Sequence, residues 1–473
     1  MEYMNELAYM VQNVAGVSTN TFRIEPINTV DALAGRKVSF ALPSNALLNM
    51  RTASLMFSAD ANQVSAAGGR LPPKISSLID RVELSASGQM IQQGFNQQNS
   101  LHHIRDSLTG FNTADPVLGH PEICRAISSV DGSTLSGTGN ELYTTAGGQA
   151  QFAVNDWLGF FGTCQPPIQD VGLLPDLVLS IYFAGNEVLG SALGNTITGV
   201  GSTDLTDAAP ATAAFKVYNL HLLVESIGLA SSVYDELIAS EISAKGFVSV
   251  PFKNMFSFSD THTGSTRFSV QTQSLDRVWV ATRATGYDTA QQISGVKGFK
   301  GAGGFVAGTS GGSPTVAVGL PGYDAGGSAY YGTNAERYIN SYFNFSEVAC
   351  RASGSVAPTF QLQLNGSYIP TFKATVEEMW QISQSSKPYV SHMAGVPQVM
   401  SLDQYRNNYF GFCVRLNLPG DESRTISGLD TRSVALNGYI NSTGLASTTN
   451  MIVFAECSSV LRIGAGRQMN VII

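Results

Sequence analysis

"VELSASGQMIQQGFNQQNSLHHI", residues 82–104, and "FQLQLNGSYIPTFKATVEEMWQI", residues 360–382, decide how the chain is read. Laid over each other at one offset, they match Leu84 to Leu362, Gly88 to Gly366, Ile91 to Ile369 and Ile104 to Ile382. The order of elements is shared more fully than the letters. Asn365-Gly366 supplies the positive φ angles that a two-residue hairpin needs, and Ser87-Gly88 stands at the equivalent point. In both stretches the turn is followed by about ten residues and then a short helical patch, ending in "SLHHI" or "EEMWQI". One structural unit is written twice.

The rest of the composition fits a duplicated β protein. At 473 residues the chain exceeds one ordinary core, so two domains are expected. Charged residues make up 13%, where roughly a quarter is usual, and 48 glycines suit turns and strands better than helices. So few charges imply that much of the surface meets other protein. Net charge is −8 and no run of Lys or Arg occurs, so nothing would neutralise a phosphate backbone and direct nucleic-acid binding is not expected.

Segments alternating with period two read as half-buried antiparallel strands. In residues 409–418 the apolar set is Phe410, Phe412, Val414, Leu416 and Leu418. In residues 177–183 it is Leu177, Leu179, Ile181 and Phe183, and in residues 217–224 it is Tyr218, Leu220, Leu222 and Val224. Between the halves, "SSVYDELIASEIS" offers Ser232 as a helix N-cap, with Tyr234, Leu237, Ile238 and Ile242 at helical spacing, which predicts a connecting helix. Two inserts rich in small residues, 185–213 and 294–332, read as long surface loops carrying outside contacts.

No motif for catalysis emerges. "GFKGAGG", residues 298–304, lacks the Lys-Ser/Thr and the strand-to-helix frame of a phosphate loop. The six histidines have no pair at i, i+4, and no metal or cofactor is expected. Glu377 with Glu378, and Asp421 with Glu422, are adjacent pairs best read as solvated charge. Trp157, Trp279 and Trp380 are assigned to cores. The five cysteines lie far apart and form no C-x-x-C, so they read as reduced, mostly buried thiols. The N-terminus has no basic region and carries Glu2 and Glu6 in its apolar stretch, which predicts synthesis and folding in a cytosol without export. The N-x-S/T triplets at Asn344, Asn365 and Asn441 are then incidental. No uncharged apolar run reaches the roughly 18 residues of a membrane span. Met4, Leu7, Val11 and Val14 form one apolar helical stripe. It reads as a helix docked on its own domain, as a frayed terminus, or as a helix that leaves to bind a neighbouring subunit or a membrane surface.

Two consecutive sandwiches, each with a strand-turn-strand leading into a short helix, resemble the double jelly-roll major capsid proteins of tailless icosahedral DNA viruses. "IDRVELSASGQMI" (79–91) and "LLPDLVLSIYFAGNEVL" (173–189) look like early and late strands of the first roll. "QSLDRVWVATR" (273–283), "SGLDTRSVALNGYI" (427–440) and "FAECSSVLRIGAGRQMNVII" (454–473) look like strands of the second. The resemblance implies an all-β fold of two consecutive eight-stranded antiparallel jelly rolls with short helices and long loop insertions. It divides the chain into an N-terminal arm at 1–20, a first roll at 21–228, a connecting helix at 229–245 and a second roll at 246–473.

It further implies a homotrimer whose six rolls make a pseudo-hexagonal capsomer of the virion shell, synthesised in the host cytoplasm, with no enzymatic activity. Partners would be neighbouring capsomers, pentons, minor capsid proteins or an internal membrane. Gly88 and Gly366 would permit the turns, Ile91 and Ile369 would anchor the following strands, and the stripe of Met4, Leu7, Val11 and Val14 would face inward. The inserts would form outward towers or an intersubunit clasp. The main rival is a cell-surface or secreted β-sandwich that binds carbohydrate, which should carry an export signal and paired cysteines. A β-sandwich glycoside hydrolase should show an aromatic cleft with two converging carboxylates. A single jelly-roll capsid that packages RNA should carry a basic arm.

Overall fold

The computed structural model describes residues 17–44, 46–60, 69–72, 75–109, 150–191, 214–229, 240, 242–288, 341–343, 345, 358–386, 405, 410–418, 427–432, 438–445 and 449–473. Among the described residues, eight principal strands build the first half, beside the short strands Ala32–Leu33, Gly69–Arg70, Ile168–Asp170 and Gly190–Ser191: β1 (Val17–Ile24), β2 (Lys37–Ala41), β3 (Leu47–Asp60), β4 (Ile79–Ala86), β5 (Gln89–Gln92), β6 (Ala150–Val154), β7 (Val178–Phe183) and β8 (Lys216–Leu229). Eight more build the second, with the short terminal strand Met469–Ile472 added to the edge of the last: β9 (Phe247–Thr261), β10 (Ser265–Phe268), β11 (Leu275–Ala284), β12 (Thr359–Leu364), β13 (Ser367–Thr375), β14 (Phe412–Arg415), β15 (Gly438–Thr443) and β16 (Thr449–Gly464). A helix follows the fifth strand of each set, α1 (Gln98–Thr109) and α2 (Val376–Ser386).

The two halves have one topology. In the first, the sheets run β1-β8-β3-β6 and β2-β7-β4-β5; in the second they run β9-β16-β11-β14 and β10-β15-β12-β13. Adding eight to every number of the first half yields the second. All these pairings are antiparallel, and each half folds two layers, each with four principal strands, over an apolar interior, as a Greek-key sandwich does.

The repeated sequence occupies the same place in both halves. The β4–β5 hairpin turns through Ser87 (φ 48°) and Gly88 (φ 76°), and the β12–β13 hairpin through Asn365 (φ 48°) and Gly366 (φ 89°). Two consecutive left-handed residues make the tight turn whose twist matches the flanking strands. A Cβ on either glycine would meet nothing within 4 Å, so it is φ and not crowding that demands glycine. The second helix starts from a capping box: Thr375 N–H donates to Glu378 Oε2 at 2.8 Å, and Glu378 N–H donates to Thr375 Oγ1 at 3.4 Å.

Three expectations need adjustment. In 217–224 the buried residue at the strand's start is Val217 and not Tyr218, because Asn219 (φ 53°) is a β-bulge that shifts the alternation by one. In 409–418 only Phe412–Arg415 form a strand, and Phe412 and Cys413 are both buried, so this strand is covered on both faces; Leu418 is 71% exposed. Helix α2 supplies the second cover, with Ser383 Oγ accepting from Cys413 N–H at 2.9 Å. Finally, β1 begins at Val17, inside the stretch expected as an arm. Leu177, Leu179, Ile181 and Phe183 share a buried face. Most of the expected connecting helix lies outside the described residues; its end at 242–245 is helical and stops at Gly246 (φ 82°), whose N–H bonds to Ile242 O.

Candidate functional site: the seam between the rolls

The apolar core continues from one half into the other across a helix-on-sheet seam. By strand alternation Arg277, Trp279 and Arg283 of β11 share one face, and α1 packs across it. Phe95 meets Phe454 of β16 at 6.0 Å between centroids, and Phe160 meets Phe252 of β9 at 5.2 Å. Ile104 of α1 presses on Gly411, where a Cβ would stand 2.6 Å from Ile104 Cγ2. The first half also engages strand β9 of the second: Gln165 N–H donates to Pro251 O at 3.0 Å, and Thr163 Oγ1 accepts from Lys253 N–H at 2.8 Å. That closes an edge otherwise open to wrong pairing.

Arg283 joins the halves at their polar point. Its Nη2 donates to Ser100 Oγ on α1 at 2.8 Å, its Nε to Tyr342 O at 2.8 Å, and its Nη1 to Asp288 at 3.1 Å. The guanidinium lies 3.8 Å from the Tyr342 ring centroid, a cation–π contact. Phe343 stacks on His103 at 4.0 Å. Burial pushes the Asp80 carboxyl up, against the opposing pull of the Gln97 N–H, Arg81 and Arg283. Burial also raises the Tyr342 hydroxyl.

A second buried ionic group lies on the same sheet. Arg277, 0% exposed, donates to Glu456 Oε1 at 2.9 Å and to Ser386 O at 2.9 Å, and Trp279 Nε1 donates to Glu456 Oε2 at 2.9 Å. Burial alone would raise the Glu456 carboxyl. The charges of Arg277 and Lys253, with the Trp279 and Arg277 hydrogen bonds, outweigh it and hold the group below the ordinary carboxylate range. Lys253 Nζ reaches Asp276 at 2.6 Å.

The equivalent surfaces of the opposite halves are open. In β11 both faces are buried, whereas β3 alternates: Met50, Ala53, Leu55 and Phe57 are buried, while Asn49, Ser54, Met56 and Ser58 are half-buried and Arg51 and Thr52 exposed. Likewise the described side chains of α1 are buried, apart from half-buried Arg105, while α2 keeps Glu378, Gln381 and Ser385 exposed and Ile382 half-buried.

The residues singled out from the sequence are distributed as follows. Gly88 and Gly366 sit at the two turn tips, Ile91 is buried, and Ile369 is partly buried against the core. Met4, Leu7, Val11 and Val14, the insert at 294–332 and most of that at 185–213 lie outside the described residues. Glu378 caps α2, and Asp421 and Glu422 are outside the described residues. Trp157, Trp279 and Trp380 are buried. His102, His103, His221 and His262 are also buried; among the described residues no three His, Cys, Asp or Glu side chains gather as for a metal ion. Cys164, Cys413 and Cys457 are buried, and burial pushes the Cys164 and Cys457 thiols up to about 12, which makes them poor nucleophiles. No described helix is long and apolar enough to cross a membrane. Arg283 and the Arg277–Glu456 pair were not found from the sequence, although two arginines on one strand face with a tryptophan between them are an unusual pattern for a half-solvated strand.

No protein-family model and no curated protein sequence matches the chain. Solved structures do. The capsid of the virus PBCV-1 aligns over 96% of this chain and 96% of its own, with TM-score 0.53 and 13% identity. The major capsid protein of Faustovirus aligns over 94% of this chain and 90% of its own, with TM-score 0.51 and 10% identity. The fold is a double jelly roll. PBCV-1 protein fitted into a reconstruction of the virophage Sputnik agrees equally well, at TM-score 0.53 and 14% identity, covering 96% of both chains. At these identities it is the path of the backbone that this double jelly roll shares with them.

Proposed function

We propose that the chain is a major capsid protein whose homotrimers form pseudo-hexagonal capsomers in the shell of an icosahedral DNA virus. Its role is structural and not enzymatic. The division into an arm, a roll to about residue 228, a linker and a roll from 246 belongs to the same reading. The observation that carries it is the open pair of surfaces: α2, and the outer face of β3 with β8, are the counterparts of the two surfaces that meet in the seam.

A second copy can repeat the seam head to tail, laying its α2 across β3 of the first. Three chains then close a ring of six rolls in which every contact resembles the internal one. Weak contacts between such rings, summed over many copies, would hold the shell. Gly88 and Gly366 keep the hairpins tight, Ile91 and Ile369 hold the strands after them, and the stripe of Met4, Leu7, Val11 and Val14 faces the shell interior. Size-exclusion chromatography with light scattering tests the reading. A particle of three times the 50.2 kDa chain mass supports it, and a monomer at all concentrations rejects it.

A further inference from the structure

The second sheets of the two rolls have diverged, and the divergence opens a groove. In the first roll, Arg81 and Glu83 of β4 and Tyr182 of β7 fill the outer face. Arg81 pairs with Glu83 at 2.7 Å, Tyr182 hydroxyl donates to Glu83 at 2.9 Å, and the Arg81 guanidinium lies 4.2 Å from the Tyr182 ring centroid. Register fixes the counterparts. Tyr182 pairs with Arg81 as Thr443 pairs with Thr359, and Ser180 pairs with Glu83 as Asn441 pairs with Gln361. Arginine, glutamate and tyrosine have thus become threonine, glutamine and threonine. The two threonines, shorter than arginine and tyrosine, leave an open groove of about 600 Å³ on β12, β13 and β15.

Its chemistry is narrow. The walls carry Gln361, Gln363 and Asn441 as planar amides, Tyr368 as an aromatic ring 46% exposed, and Lys373 as a cation; among the described residues no carboxylate lines it. Gln361 Nε2 donates to Pro370 O at 3.0 Å and Asn441 Nδ2 donates to Gln363 Oε1 at 3.0 Å. By the donor and acceptor inventory of an amide, Gln361 Oε1, Gln363 Nε2 and Asn441 Oδ1 remain for a ligand. A lipid or other apolar ligand would need an apolar lining, and a polyphosphate would need several cations. Amides, hydroxyls and one exposed ring match the hydroxyl edges and C–H face of a sugar, and a single lysine matches one carboxylate on it.

We propose that this groove binds an acidic saccharide. Tyr368 stacks on the sugar face, Gln363 and Asn441 hold its hydroxyls, and Lys373 meets its carboxylate. The seam, and the repeat of it suggested for the trimer, use the first sheets and the helices and not this face, so the two proposals stand or fall separately.

The test uses the full chain with N-acetylneuraminic acid, glucuronic acid and glucose as probes, followed by saturation-transfer NMR and calorimetry. Expected are signals from the acidic sugars with a Kd on the order of 1 mM, weakened at least tenfold in Tyr368→Ala and Gln363→Ala. Lys373→Ala should remove the preference for acidic sugars over glucose. Circular dichroism melts matching the wild type establish that the variants remain folded. Absence of transfer to any probe, binding unchanged in the variants, or equal binding of glucose overturns the assignment.

Discussion

Strands β3 and β11 hold the same place in two copies of one sandwich, yet β11 is buried on both faces and β3 on one. Helices α1 and α2 differ in the same sense: the first is enclosed between two sheets, the second keeps a polar stripe in solvent. A duplicated domain that packs helix to sheet with its own twin uses up one helix and one sheet face and leaves one of each over. Under the proposed assembly the internal seam is the template for the outer interface, since what fits once within the chain can fit again between chains.

The strongest break in that comparison lies in the partners of one glutamate in each of the two first sheets. Arg277 stands opposite Glu456 in the covered sheet, and Asn49 opposite Glu225 in the open one, joined by a hydrogen bond of 2.9 Å. Replacing Glu456 by Ala strands a buried guanidinium and should cost about 3–5 kcal/mol in urea unfolding. Glu225→Ala, at a half-exposed site, should cost no more than about 1 kcal/mol. Because the folded Glu456 value is depressed, its stabilisation is present above the ordinary value of 4.5 and is lost as pH falls through the folded value. Stability measured from pH 6 downward should therefore fall more steeply in the wild type than in Glu456→Gln; parallel curves would show that this carboxylate does not drive the acid response.

Ile104 and Ile382 sharpen the contrast. They are identical in the repeat, but Ile104 is fully enclosed at the seam and Ile382 is half-buried. Ile104→Ala should cost about 2–5 kcal/mol in the isolated chain and Ile382→Ala clearly less, read as shifts in the unfolding midpoint. Equal shifts would mean that the two helices are equally buried. The smallest effect concerns what the halves share: Gly88→Ala and Gly366→Ala each force a side chain into the left-handed region and should each cost about 1–2 kcal/mol, without a packing clash. A markedly unequal pair would show that the hairpins are not equivalent.

The features legible in the sequence were those with local causes. Ser87-Gly88 and Asn365-Gly366 reveal the hairpins because the turn geometry is decided by the turn residues themselves. Alternation at 177–183 reveals a strand because one face of it meets one core. The bulge at Asn219 has no such local mark, and the double burial of Phe412–Arg415 depends on a helix some thirty residues away in the chain. Arg283 looks like any strand arginine until Ser100, from the other roll, is beside it. Contacts made between the copies were invisible for the same reason that repeats within them were plain: identity betrays duplication, whereas the seam is built from the differences.

Light scattering on Ile382→Glu beside the wild type tests most directly whether the internal seam is repeated between chains. The account predicts a wild-type particle of three chains and a variant of one chain, 50.2 kDa, whose circular dichroism spectrum still shows the folded β structure although its unfolding midpoint falls, since Ile382 also packs against its own core. A variant that remains trimeric would contradict the account, because α2 would then not be the surface that carries one copy onto the next.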